Sequence, residues 1–120
     1  MEIEALSEQL GEGLLARRLM VVTAESCTGG WVAQTITSTA GCSQWFERGF
    51  VTYSNTAKME LLGVQAATLE RHGAVSEATV REMVSGALTR SQARIAVAVS
   101  GVAGPTGGTS EKPVGMVCLA

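Results

Sequence analysis

The sequence contains few of the residues from which metal sites, disulfide frameworks and nucleic-acid surfaces are built. It has one histidine and three cysteines in 120 residues, and no two cysteines form a Cys-x-x-Cys pair. Neither a metal site nor a disulfide framework is expected from this pattern, and a reducing, cytoplasmic compartment is the resulting interpretation. The formal net charge is −2 and no basic block is present, so binding to nucleic acid is not expected.

Long apolar runs and aromatic side chains are scarce as well. No run approaches the roughly 18 apolar residues of a membrane-spanning helix, so no membrane partner is expected. The N-terminal residues 1–4 carry two acids and no basic group, unlike a secretory signal peptide. Aromatic residues make up 4% of the chain and hydrophobic residues 46%, which predicts a single globular domain over residues 1–120 with a mainly aliphatic core.

Short apolar stretches alternate with amphipathic stretches along the chain. Strands are predicted at 19–24, 46–53, 94–100 and 114–120, and helices at 2–18, 31–37, 56–62, 66–71 and 76–91. The first helix carries an apolar stripe of Ile3, Leu6, Leu10 and Leu14, and Asn55 and Ser76 are the predicted N-caps of two others. This alternation predicts a layered α/β domain. Because the chain stops inside the last predicted strand, we expect either a fragment of a longer domain or a domain that ends unusually early.

The first candidate site is the segment Ala-Glu-Ser-Cys-Thr-Gly-Gly at residues 24–30, between a buried strand and a helix. In open α/β sheets, ligands bind beyond the carboxyl ends of the strands, and the free N–H groups of a following helix favour negative charge. Gly29 and Gly30 would let a ligand approach the backbone closely. Ser26 is therefore a candidate nucleophile beside an oxyanion hole. The alternative is that Ser26 or Thr28 only caps the helix.

A serine nucleophile needs a base, and the sequence offers few. His72 follows a short helical segment, where histidine often caps carbonyl groups. Lys58 follows the second predicted strand and would share a sheet edge with Ser26 if the first two strands are neighbours. Burial would have to lower the lysine pKa from about 10.4 for this role, and the alternative is a solvated surface lysine. Cys27 is a rival nucleophile, although adjacent side chains point in different directions.

The second candidate site is the stretch Ser-Gly-Val-Ala-Gly-Pro-Thr-Gly-Gly-Thr at residues 100–109, which also follows a buried strand. Successive glycine and hydroxyl residues can present several N–H donors to a phosphate or a carboxylate. The stretch has neither the Gly-Lys-Ser/Thr ending of a P-loop nor the Rossmann spacing, and an ordinary long turn is the alternative. Two such loops after two buried strands indicate a shared anion-binding crevice.

Four motifs follow one another along the chain. They are residues 24–30; Tyr-Ser-Asn-Thr-Ala-Lys at 53–58 with Leu-Gly-Val at 62–64; Gly-Ala-Val-Ser at 73–76; and residues 100–108 with Lys-Pro-Val-Gly at 112–115. In this order they resemble the C-terminal domain of competence/damage-inducible protein A (CinA), which also occurs as a stand-alone nicotinamide-nucleotide amidase. The resemblance covers the chain from about residue 14 to its end.

The resemblance implies a three-layer α/β/α sandwich with a mixed sheet. It also implies hydrolysis of the carboxamide of nicotinamide mononucleotide to nicotinate mononucleotide and ammonia, in bacterial pyridine-nucleotide salvage. The expected partner is thus a small-molecule nucleotide substrate, with no metal or other cofactor. Members of the family commonly form dimers or higher oligomers, so a homo-oligomer is expected. They usually continue further, with another strand, a helix and an arginine-bearing segment near the active site.

The resemblance also assigns roles to residues. Ser26 is the implied nucleophile and Lys58 its base, and Tyr53 is implied as a catalytic neighbour that hydrogen-bonds this dyad. The implied substrate-binding residues are Thr28, Gly29, Gly30, Ser100, Gly101, Gly104, Thr106, Gly107 and Gly108. A hypothesis of another class is a non-catalytic nucleotide-binding or oligomerisation module of the same fold, in which these loops bind a phosphate without turnover.

Overall fold

A computed structural model describes residues 2–120 as one mixed sheet with helices on both faces. The helices are α1 (Ile3–Ala16), α2 (Trp31–Thr37), α3 (Asn55–Leu62), α4 (Ala66–His72) and α5 (Glu77–Thr89), with a 3₁₀ turn at Cys42–Gln44. The strands are β1 (Val21–Glu25), β2 (Phe46–Val51), β3 (Ile95–Gly101) and β4 (Val117–Leu119), in the sheet order β2-β1-β3-β4. Strand β1 is parallel to β2 and β3, whereas β4 is antiparallel to β3. The predicted α/β class with a mixed sheet is confirmed.

The central strand β1 is buried along its whole length and contributes to a core on each face of the sheet. On one face, Val22 packs in a cluster with Met83 of α5. On the other, Val21 packs with Leu14 of α1 and with Trp45. Because successive residues of a strand point to opposite faces, this one strand separates two helical layers. The three-layer α/β/α arrangement follows.

Helix α1 turns a different face inward from the apolar stripe that the sequence predicts. Its buried residues are Ser7, Gly11 and Leu14. The indole of Trp45 lies against Gly11, where an added Cβ would come within 2.4 Å of the ring. The helix therefore docks through small residues that admit the indole, and Leu14 is the one member of the predicted stripe that is buried. The other three members are exposed: Ile3, Leu6 and Leu10.

The helix that carries the candidate base begins one residue earlier than predicted. Asn55 is not its N-cap, because Ser54 fills that position and its Oγ accepts a hydrogen bond from the amide of Ala57 at 3.0 Å. Gly63 ends α3 in the left-handed region, with φ of 69°. The predicted cap of α5 is confirmed, since the Oγ of Ser76 accepts from the amide of Thr79 at 3.1 Å.

The parallel strands β1, β2 and β3 all end at one edge of the sheet. The register aligns Glu25 at the end of β1 with Val51 of β2 and with Val99 of β3. The connections that follow these strands therefore meet at the carboxyl edge, where ligand sites of open α/β sheets lie. The first two strands are neighbours, which is the condition under which Lys58 and Ser26 share a sheet edge. Within residues 2–120, no helix is both long and apolar enough to span a bilayer.

Candidate active site

Lys58 and Ser26 are in direct contact at the carboxyl edge of the sheet. Lys58 is on α3 and is only 1% exposed, and Ser26, directly after β1, is 7% exposed. The Nζ of Lys58 donates to the Oγ of Ser26 at 3.0 Å and to the backbone oxygens of Thr52 and Tyr53 at 2.9 Å and 3.2 Å. No carboxylate within residues 2–120 forms an ion pair with this amine. The structure thus brings together the two residues that the sequence proposed as nucleophile and base.

Burial changes the proton affinity of this amine. Removal from water disfavours the charged form and lowers the pKa of Lys58 below the usual range of lysine, and only a negative charge on the nearby Cys27 would act in the opposite direction. The backbone oxygens of Thr52 and Tyr53 can only accept, so in a neutral amine they engage its two N–H groups. The remaining tetrahedral position, which holds the lone pair, then faces the hydroxyl of Ser26. This is the geometry that a general base requires.

Glu25, the last residue of β1, fixes the loop that carries Ser26. Its carboxylate is 1% exposed and accepts from the Oγ1 of Thr28 at 2.6 Å. It also accepts from the amides of Val32 and Ala33, in the first turn of α2, at 2.9 Å and 3.0 Å. Glu25 is not among the site residues predicted from the sequence, although an acid just before a helix is a recognised signal for interaction with its N-terminus.

These contacts correct one expectation about the oxyanion hole. The amides of Val32 and Ala33 are engaged by Glu25 and are not available to a ligand. Other donors lie earlier in the loop: the amides of Cys27 and Thr28 make no hydrogen bond to a backbone oxygen within residues 2–120. Both amides lie near the thiol of Cys27, since both lower its pKa, yet burial is the larger effect and raises the pKa of that thiol overall. A raised pKa favours the protonated thiol of Cys27 near neutral pH, and a thiol is a weaker nucleophile than a thiolate.

An open cleft of about 400 Å³ lies over the Ser26–Lys58 pair. Its walls are the ends of β1 and β2, the connection between α4 and α5 at residues 74–75, and the glycine-rich stretch 100–107. The site residues proposed from the sequence that line it are Ser26, Tyr53, Lys58, Ser100, Gly101, Gly104, Thr106 and Gly107. Ala74 and Val75 also line the cleft and were not predicted as site residues, although they lie within the third of the four motifs.

The other proposed substrate-binding residues lie outside the cleft walls. They are Thr28, Gly29, Gly30 and Gly108. Gly29 and Gly30 have φ of 60° and 105°, so the turn into α2 needs glycine for its backbone conformation. Gly108 packs against Val114, whose amide would lie 2.6 Å from an added Cβ. The candidate base His72 also lies away from the cleft, at the end of α4.

The two sides of the cleft differ in what they offer a ligand. Beside the Ser26–Lys58 pair, the backbone oxygen of Tyr53 contacts Lys58, whereas its phenol makes no hydrogen bond within residues 2–120. On the opposite wall, the hydroxyl of Ser100 is fully buried and has no hydrogen-bond partner.

The glycine-rich loop is closed at its base by the amide of Val102, which donates to the backbone oxygen of Met116. The backbone amides of residues 103, 104, 106 and 107 have no acceptor in the described chain, so they can serve an anion.

The residues around the cleft offer few ligands for a metal ion. Within residues 2–120 no group of three or more histidine, cysteine, aspartate or glutamate side chains lies together. The cleft walls carry hydroxyls, backbone amides, one amine, one thiol and one phenol, and these groups suit covalent catalysis and anion binding.

Comparison with known proteins gives the family. The family model of the CinA C-terminal domain matches residues 3–120. The nicotinamide-nucleotide amidohydrolase PncC of Escherichia coli K12 is 60% identical over 119 residues, which are 99% of this chain and 72% of that protein. A putative competence-damage inducible protein of Symbiobacterium thermophilum is 57% identical over 98% of this chain and 28% of its own length.

Solved structures agree with this result. The competence/damage inducible protein CihA of Agrobacterium tumefaciens superimposes with a TM-score of 0.95 at 53% identity, covering 98% of this chain and 71% of that one. The competence damage-inducible protein A (ComA) of Klebsiella pneumoniae superimposes with a TM-score of 0.96 at 44% identity, covering 99% and 74%. The chain belongs to the CinA C-terminal domain family.

Proposed function

We propose that this protein is an amidohydrolase that converts nicotinamide mononucleotide to nicotinate mononucleotide and ammonia, a reaction of pyridine-nucleotide salvage. The amidohydrolase activity is supported by the 60% identity to a nicotinamide-nucleotide amidohydrolase. The observation that carries the chemistry is the 3.0 Å contact between the Nζ of Lys58 and the Oγ of Ser26, both buried. In this proposal Ser26 is the nucleophile and Lys58 is the base.

The first half of the reaction forms an ester on the enzyme. Neutral Lys58 takes the proton of Ser26 as its Oγ attacks the carboxamide carbon. The carbonyl electron pair moves to oxygen, and the amides of Cys27 and Thr28 are the donors available to hold that negative charge. When the carbon–nitrogen bond breaks, the ammonium group of Lys58 returns the proton to the leaving nitrogen. Ammonia departs, and the nicotinate acyl group remains on Ser26.

The second half of the reaction releases the acid. Neutral Lys58 removes a proton from a water molecule that attacks the ester carbon. The oxyanion forms again at the same amides, and the bond to Ser26 breaks as Lys58 returns the proton to its Oγ. One amine thus acts as base and acid in both halves, which requires that its pKa lie near the working pH. Burial lowers the pKa of Lys58 in this direction.

The nucleotide portion of the substrate fits the opposite wall. The free amides of residues 103, 104, 106 and 107 can hold a phosphate, as successive backbone N–H groups do in other anion sites. No carboxylate lines the cleft within residues 2–120, so a phosphate would meet no like charge there. This placement puts the carboxamide end of the substrate at the dyad and the phosphate end at the glycine-rich loop.

Ammonia release tests the proposal directly. The purified protein is incubated with nicotinamide mononucleotide, and ammonia and nicotinate mononucleotide are measured together. The Ser26→Ala variant should lose at least about 10⁴-fold in turnover, as loss of a nucleophile does in serine hydrolases. Ser85→Ala, an exposed serine on α5, is the matched control and should retain turnover. Undiminished ammonia release by Ser26→Ala would remove Ser26 as the nucleophile. Nucleotide binding by the wild-type protein without any ammonia release would favour the non-catalytic module.

A further inference from the structure

Tyr53 supplies the only aromatic ring among the residues that line the cleft within residues 2–120. Its backbone oxygen is held by the Nζ of Lys58 at 3.2 Å, so its main chain is fixed beside the dyad. The residue is nevertheless 70% exposed, and its phenol has no hydrogen-bond partner in the described chain. An anchored backbone with a free ring places an aromatic surface at the mouth of the cleft, next to the reacting centre.

The charges around the cleft make this ring important for a cationic ligand. No carboxylate lines the cleft within residues 2–120, and the whole sequence contains no aspartate. The nearest buried acid, Glu25, is occupied by Thr28 and by the first turn of α2. A positive ring near Ser26 would therefore find no anionic side chain to pair with. The electron-rich face of a phenol is the group available to attract it.

The substrate of the proposed function has such a ring. The pyridine nitrogen of nicotinamide mononucleotide is bonded to ribose, so the flat aromatic ring that carries the carboxamide is a cation. Aromatic rings pack in offset stacks, and a cation within about 6 Å of a ring centroid gains further attraction. The carboxamide must reach Ser26, and this places the pyridinium ring beside Tyr53.

We propose that Tyr53 binds the pyridinium ring of the substrate through the face of its phenol and so makes the site select oxidised over reduced pyridine nucleotides. This inference rests on the proposed function for the identity of the substrate. Reduced nicotinamide mononucleotide keeps the carboxamide, the ribose and the phosphate, but its dihydropyridine ring is neutral and no longer aromatic. The two forms therefore differ in ring charge and aromaticity, the properties on which attraction to the face of a phenol depends.

Binding to a variant that cannot turn over the substrate isolates this effect from the chemistry. In the Ser26→Ala background, calorimetric titration should show that the oxidised mononucleotide binds about 5- to 30-fold more tightly than the reduced form. Adding Tyr53→Leu should abolish this ratio by weakening the oxidised form alone. Adding Tyr53→Phe should preserve the ratio, because phenylalanine keeps the ring face and loses only the hydroxyl. Trp31→Leu is the matched control, since Trp31 is an aromatic residue 64% exposed outside the cleft walls.

Each result has a defined meaning. An unchanged ratio in folded Tyr53→Leu protein would overturn the inference, and so would an equal loss in Tyr53→Phe, which would assign the effect to the hydroxyl. If wild-type protein releases ammonia while Ser26→Ala protein binds both forms equally, the inference fails and the proposed function stands. If no ammonia is released but the Tyr53-dependent ratio is found, the proposed function fails and ring recognition stands.

Discussion

Two ionisable side chains are buried at the same edge of the sheet, and their surroundings are opposite. Glu25 and Lys58 are each 1% exposed. Glu25 is surrounded by donors, namely one hydroxyl and two backbone amides. Lys58 faces two backbone carbonyls and the hydroxyl of Ser26. Neither forms an ion pair with another side chain in residues 2–120, so each is compensated separately.

The difference in partners distinguishes a carboxylate suited to stabilising the fold, Glu25, from an amine suited to proton transfer, Lys58. Every partner of Glu25 is a donor that stabilises a negative carboxylate, so its charge holds the loop against α2. The partners of Lys58 serve either protonation state, because the hydroxyl of Ser26 can accept from an ammonium group or donate to an amine. A buried group whose partners permit two states can transfer a proton at little structural cost. Replacement of Lys58 should therefore affect chemistry most, and replacement of Glu25 should affect stability most.

Of the replacements that distinguish these two buried groups, that of Lys58 should have the largest effect. Lys58→Arg keeps a positive charge that cannot be released, and Lys58→Met keeps the length but removes the base. Both should lower ammonia release by about 10²- to 10⁴-fold, the range that general-base catalysis contributes. Lys112→Arg is the control, because Lys112 lies outside the cleft walls and is the only other lysine. Turnover by Lys58→Arg close to that of the wild type would show that proton transfer does not involve residue 58.

The pH dependence should show which form of Lys58 is active. If the neutral amine is the base, as proposed, kcat/KM should rise about tenfold per pH unit and then level off at an apparent pKa below the ordinary lysine value of about 10.4. Burial, which lowers the pKa of Lys58, is the cause. A decline in kcat/KM over the same range would instead indicate that the ammonium form is required.

The same shift in the pKa of Lys58 has a consequence for stability. Between the folded-state pKa and the higher unfolded value, the unfolded chain binds more protons than the folded chain. The free energy of unfolding should therefore increase with pH in that window, as measured by denaturant titration. In Lys58→Met this contribution should vanish, so its stability should depend less on pH there than that of the wild type.

The sequence predicted the positions of Ser26 and Lys58 because each follows a strand and neighbouring parallel strands end at one edge. It did not identify Glu25, whose function depends on where the first turn of α2 lies in space. For α1, it assigned the inward face to apolar residues, but the indole of Trp45 requires the small Gly11 there. Periodicity identifies elements and edges, whereas contacts between side chains distant in the sequence depend on packing.

Replacement of Glu25 should affect mainly the stability of the fold. Glu25→Gln keeps the shape but exchanges one acceptor oxygen for a donor NH₂ group that faces other donors. The free energy of unfolding should fall by about 1–3 kcal/mol, the cost of leaving a buried polar group unsatisfied. Glu60→Gln, on the exposed side of α3, is the control and should change stability by less than about 0.5 kcal/mol. If Glu25→Gln were as stable as the wild type, the loop would not depend on this carboxylate.

The smallest effect is expected at Thr28, which supplies one of the three donors to Glu25. Thr28→Val removes the hydroxyl that lies 2.6 Å from the carboxylate and should lower the free energy of unfolding by about 0.5–1.5 kcal/mol. The double variant with Glu25→Gln tests whether the two residues act as a unit, since partners in one hydrogen bond give non-additive changes. Strict additivity would mean that Thr28 and Glu25 contribute to stability independently, so that the hydrogen bond between them does not hold the loop. A double variant that is less destabilised than the sum of the two single variants would show that Thr28 fixes the loop through Glu25. The apparent pKa of the pH–rate profile should not change in Thr28→Val, because it depends on the burial of Lys58.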